Sequence, residues 1–181
     1  MENKKISPWK ANLNWGLILG FTLILYSALL YFADQTLNKS LGYLSMVIYI
    51  LFIYLGIRSY RNNYLNGFIS YGQALGSGVL ISLYAAILSA AFAYFLYSVI
   101  DPGLIQKLLN MSEQQLIDRG MTDDQIQMAM KVTSKFMNPL FLTISSLFSG
   151  VFFGFIISLL EAIFLKNEGN PMVTTEEKEA E

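Results

Sequence analysis

Neither cysteine nor histidine occurs anywhere in the 181 residues. Their absence excludes disulfides, thiolate metal sites, cysteine nucleophiles, histidine acid–base catalysis and histidine pH switches. Charge is scarce as well: 14% of residues are Asp, Glu, Lys or Arg, where a soluble domain carries about 25%. The net charge of −1 withholds the basic footprint that nucleic acid needs. Phosphate-binding glycine loops are missing too. "YRNNYLNGFISYGQALGSG" (residues 60–78) contains neither GxxxxGK[ST] nor a GxGxxG that follows a strand, so it is no nucleotide cradle.

What the chain has instead is apolar length. Hydrophobic residues make up 54% of it and the mean hydropathy is +0.46. Four runs are long enough to span a bilayer, which takes about 20 largely apolar residues: about Asn14 to Phe32, Leu41 to Ile57, Tyr71 to Ile100, and Pro139 to Leu165. The expected fold is all-α: a polytopic membrane protein of four transmembrane helices, with short amphipathic helices between the third and fourth. Residues 1–13 form an N-terminal segment, 14–165 the membrane domain and 166–181 a disordered acidic tail. The first run is longer than a signal-peptide core of about 7–15 residues and "YFADQTLN" offers no cleavage site, so it is expected to be retained.

Lys4, Lys5, Lys10, Arg58, Arg61 and Lys166 flank one side of these spans. Basic residues favour the cytoplasmic side, which predicts both termini in the cytoplasm and a bacterial inner-membrane location.

Small residues recur at a four-residue spacing: Gly16 and Gly20, Gly72 and Gly76, Gly150 and Gly154, with Gly78, Ser82 and Ala86 continuing the row in the third span. In lipid, close approach at such residues replaces the hydrophobic effect as the source of helix association. The rows therefore predict a central third helix, meeting the first at Gly16/Gly72 and the fourth near Gly150/Gly154, or else a dimer face. The second span has no such row and is expected to be the most lipid-exposed. The stretch 60–78 reads as a hinge, with Asn62, Asn63, Asn66 and Gly67 as turn chemistry.

One charged residue lies inside a span. Glu161 sits about a turn before the end of the fourth, at the depth expected for Arg58, Arg61 and Gln73. The bland reading is an interfacial carboxylate reaching water; the sharper one is a salt-bridge or lipid-headgroup cluster of these four. Between the third and fourth spans, Ser112–Gln115 and Thr122–Gln125 match the capping box and Gly120 a helix stop.

The four-span layout with a long third loop, together with Tyr60-Arg61 and Gly67-Phe68-Ile69-Ser70-Tyr71-Gly72-Gln73-Ala74, resembles a bacterial family of uncharacterised small membrane proteins, the "domain of unknown function 4199" family. The resemblance implies an inner-membrane protein and covers nearly the whole chain except the acidic tail. It implies no activity and no catalytic residues.

Three functions compete. A structural or accessory subunit, packing with itself or with a larger membrane partner, suits the small-residue rows and the organised loop. An oligomeric transporter or channel for a neutral solute or lipid is the alternative, since the span middles lack the charges that mark ion pathways. A membrane enzyme would need a nucleophile with its base, paired acids or a metal site, and no such constellation is legible. No catalytic residue, cofactor or metal is expected. The lipid bilayer is the expected partner, and nucleic acid is not.

Overall fold

Pro8 opens the first helix, because proline at the first helical position lacks only an N–H that would be unbonded there anyway. The computed structural model describes residues 6–36 and 38–169. Among the described residues six α-helices follow one another: α1 (Pro8–Phe32), α2 (Lys39–Tyr64), α3 (Tyr71–Phe95), α4 (Gly103–Asp118), α5 (Asp123–Phe136) and α6 (Pro139–Leu165), with a π-helical turn, Leu96–Ile100, continuing α3. Four of these, α1, α2, α3 with its π turn, and α6, are long and apolar enough to cross a membrane. Two bounds differ from the hydropathy reading. α1 begins at Pro8 rather than near Asn14, and α2 runs to Tyr64 rather than ending near Ile57. Polar residues such as Asn12 and Arg58 end an apolar run without ending a helix, since their helix propensity differs from alanine's by under about 1 kcal/mol.

The hinge is consequently shorter than expected. Asn62 and Asn63 belong to the last turn of α2, and the chain reverses at Asn66 and Gly67, both at positive φ (52° and 85°). Ser70 and Gln73 then form a full capping box at the start of α3. The first residues of the supposed tail are tied to this hinge: Asn167 pairs with Ile69 through two backbone bonds of 2.8 and 2.9 Å, and its side chain donates to the Gly67 carbonyl. The rest of the acidic tail, from residue 170, lies outside the described residues, as do Lys4 and Lys5.

Around the central α3, the register can be read from individual contacts. Asn12 of α1 accepts a 2.6 Å hydrogen bond from Ser77, Gly16 faces Ile81 and Tyr84, and Gly20 faces Ala85 and Leu88. Position rises together in both helices, so α1 and α3 are parallel. α6 runs the other way, with Ser158 against Gly78, Gly154 against Ser82 and Gly150 against Ala86. The Ser158–Gly78 and Ser82–Gly154 pairs are reciprocal. Each serine fills the notch of the opposite helix's glycine, while its hydroxyl donates to the carbonyl of the glycine one turn earlier in its own helix, Ser82 to Gly78 and Ser158 to Gly154. That bond satisfies the hydroxyl inside the packed interface.

Gly72 and Gly76 stand elsewhere than expected. A Cβ added at either would meet nothing within 4 Å. The cause is register: Gly16 lies two turns into α1 while Gly72 lies at the very start of α3, so the parallel pairing sets Gly16 beside Ile81 instead. The second helix is not the most exposed either. Ile53 and Ile57 are fully buried, and 17% of α2's apolar window is buried against 11% for α6. A large side chain packed by rotation of the helix can bury as well as a small one, and Gly56 still lets Trp15 and Ile81 approach. Because the chain has no native cysteine, the register is directly testable. A cysteine pair at positions 12 and 77 is expected to cross-link with a short bifunctional reagent, and a pair at 16 and 72 is not; the reverse pattern would contradict the parallel register.

α4 and α5 pack on each other beyond the π turn. The Thr122–Gln125 box is formed, but Ser112 sits inside α4, where its hydroxyl donates to the Leu108 carbonyl. A helix already running from Gly103 leaves no free N–H groups for Ser112 to cap.

Candidate functional site

The bundle's buried apolar cluster, including Leu19, Ile53, Ile57, Ile81 and Ile157, occupies the half that holds the start of α1 and the end of α6. In the opposite half the helices carry small residues, and a cavity of about 380 Å³ remains among α1, α2, α3 and α6. Its walls include Tyr26 and Ser27 of α1, Ser45 and Tyr49 of α2, Ser89, Ala90, Ala93 and Tyr97 from α3 and its π turn, and Ser146 and Gly150 of α6. None of the described lining residues is charged.

Three of the hydroxyls in this wall have spent their hydrogens on carbonyls. Tyr26 donates to the Leu41 carbonyl at 2.8 Å, Tyr49 to the Gly150 carbonyl at 2.9 Å, and Ser146 to the Thr143 carbonyl at 2.8 Å. What they still present is acceptor lone pairs. Ser89 differs from these three: its Oγ is buried and has no partner. A second hollow of about 320 Å³ adjoins the first, sharing Leu23, Ser45, Tyr49 and Gly150 with it; its remaining walls are Met46, Phe153 and Ile157. Met46 and Phe153 are exposed, so this hollow opens sideways between α2 and α6.

The second feature is Glu161. It is 8% exposed, and neither carboxylate oxygen has a hydrogen-bond partner. It stands in the wall of a groove whose other side is Val47, Ile50, Leu51 and Tyr54 of α2. Arg58 follows on the same stripe of α2, one turn beyond Tyr54, and is exposed.

The three residues expected to cluster with Glu161 as headgroup or salt-bridge partners, Arg58, Arg61 and Gln73, form no hydrogen bond or ion pair with it. Arg61 donates to the Leu165 carbonyl at 3.2 Å and to Asn62, so it serves the last turn of α6. Gln73 is engaged in the Ser70 capping box. Among the described residues the ion pair formed is Lys107–Asp34 at 3.9 Å, between exposed side chains at the other end of the bundle. Proximity in depth placed Arg61 and Gln73 near Glu161, but unsatisfied backbone groups at helix ends took their polar atoms first. Among the described residues no three carboxylates, histidines or cysteines come together.

Two elements escaped the sequence reading. Asn12, fully buried on Ser77, was outside the expected span; Ser7-Pro8 was the available signal for an earlier helix start. The cavity had no signal of its own, since Ser89, Ala90 and Ala93 read as part of a packing row. One protein family, described as protein of unknown function (DUF4199), matches residues 14–167. No curated protein and no solved structure matches the chain.

Proposed function

The chain belongs to the DUF4199 family, and on that premise we propose that it is a multi-pass protein of the inner (cytoplasmic) membrane, with both termini in the cytoplasm, acting as a structural or accessory subunit that packs with itself or with a larger membrane protein. The observation that carries this reading is the Glu161 carboxyl, nine-tenths buried, unpartnered and standing in a groove between two candidate spans. A buried polar group left without a partner costs about 1–3 kcal/mol, and ionisable groups within spans face a functional counterpart more often than lipid. A neighbouring helix that brings a hydrogen-bond donor or a basic side chain into the groove would supply that counterpart. The broad apolar exterior supports the membrane setting, with Phe148, Phe152 and Phe164 of α6 all exposed. The topology is supported by Lys10, Arg58, Arg61 and Lys166 at one end of the bundle.

The test is a tagged pull-down from native membranes in mild detergent, read by mass spectrometry with stoichiometry. One near-stoichiometric partner, or a dimer of the chain itself, is the expected result. A strictly monomeric, partner-free protein would overturn the reading. A reporter fused after Lys166 that is active only outside the cytoplasm would overturn the topology. The alternative, an oligomeric transporter or channel for a neutral solute or lipid, is favoured by one observation, the uncharged hydroxyl-walled cavity.

A further inference from the structure

We propose that the cavity and its lateral opening together form a binding site for an uncharged amphiphile, with a hydroxyl-bearing head held among Tyr49, Ser89 and Ser146 and a single hydrocarbon chain leaving between α2 and α6. The site requires neither a partner subunit nor flux, and stands apart from the Glu161 groove.

Three observations converge on it. The first is volume: about 380 Å³ in the cavity lies within the range of small-molecule sites, about 300–1,000 Å³. The second is polarity of a definite kind. Tyr49 and Ser146 have already donated their hydrogens to carbonyls, so at these two positions the wall offers lone pairs, and a head that donates complements them. The buried Ser89 Oγ, without a partner, both donates and accepts, and leaving it unpaired is costly. A carboxylate or phosphate head could pair with Ser89 but not with the spent hydroxyls of Tyr49 and Ser146. It brings acceptors only, and its charge would be buried without a cation among the described walls. The third is continuity. The apolar hollow of Met46, Phe153 and Ile157 begins where the polar cavity ends, at Tyr49 and Gly150. A head pocket that opens sideways onto an apolar slot fits a lipid-like molecule better than a water-soluble one, which would need no such slot.

The experiment uses the full-length protein reconstituted in phospholipid nanodiscs with two photoreactive probes of equal chain length, a monoacylglycerol and the corresponding fatty acid, each carrying a diazirine in the chain. Labelled residues are mapped by mass spectrometry. The monoacylglycerol is expected to label Met46, Phe153 and Ile157, about fivefold to tenfold more than the fatty acid does, the preference that about 1 kcal/mol of head recognition gives. Ser89→Leu, which fills the cavity from α3, is expected to remove that preference, and Ser45→Leu provides a second variant from α2 should the first fail to fold. Equal labelling by both probes would overturn the proposal. So would labelling spread evenly around the bundle, the pattern of a cavity that holds only water, or a preference that survives in both folded variants.

Discussion

Gly154→Val is expected to separate α3 from α6 and to lower the melting temperature of the purified protein more than any change to a neighbouring serine. A Cβ at position 154 would fall on the Cβ and Oγ of Ser82, with the Tyr49 ring 3.3 Å away. Neither neighbour can give way. Ser82 is fully buried and anchored by its own bond to the Gly78 carbonyl at 2.8 Å, and Tyr49 is held by Gly150. Overpacking a close interface costs on the order of 3 kcal/mol, and here it also severs the contacts at Gly150 and Gly78 that share the same register. Ser82→Ala, by contrast, removes one local hydrogen bond and little volume, so its expected cost is below about 1 kcal/mol. Thermal unfolding in detergent, followed by circular dichroism, separates the two outcomes. The exchange Gly154→Ser with Ser82→Gly restores knob and notch in reversed roles and is expected to recover most of the loss, as coupled neighbours do. A Gly154→Val protein that melts with the wild type would mean that α3 and α6 do not meet in this register.

Glu161→Met carries the second large expectation, and its sign is unusual. The substitution keeps the length of the side chain and removes two oxygens that have no partner within the chain. The isolated protein is therefore expected to become more stable, by about 1–3 kcal/mol, the desolvation cost of an unsatisfied buried polar group. Co-purification of the partner is expected to fall at the same time, because the incoming donor loses its acceptor. Stability gained and assembly lost in one substitution is the mark of a group kept for function. Melting of the purified chain and stoichiometry in the pull-down are read side by side. A destabilised Glu161→Met protein would show that the carboxyl is already satisfied within its own fold, and the subunit reading would lose its main support.

The contrast between Gly154 and Gly76 shows how far the sequence could be read. Both belong to glycine pairs of identical spacing, yet Gly154 lies tight against Ser82 and Gly76 faces no neighbour. A small residue reports only that a face permits close approach. Whether a helix arrives there depends on the relative slide of two helices, which the large residues around them also decide. The same limit applies at Glu161, whose place inside a span was legible. Its lack of a partner was not, because Arg61 and Gln73 were equally free, on sequence grounds, to reach it or to satisfy helix ends.

What the sequence by itself determined is the helical class, the number of long apolar helices, and several of their ends. Pro139 at the start of α6, Gly67 at the hinge and the Thr122–Gln125 box were all legible. Hydropathy, proline and caps act within a few residues of the chain, so they survive without any knowledge of neighbours. What only the tertiary structure decided is register and void: Asn12 beside Ser77, serine lodged in glycine across α3 and α6, and the hydroxyl-walled cavity left where the bundle's small residues meet. These follow from how whole helices slide and turn against one another, and that depends on the sum of many weak contacts that no short stretch of sequence contains.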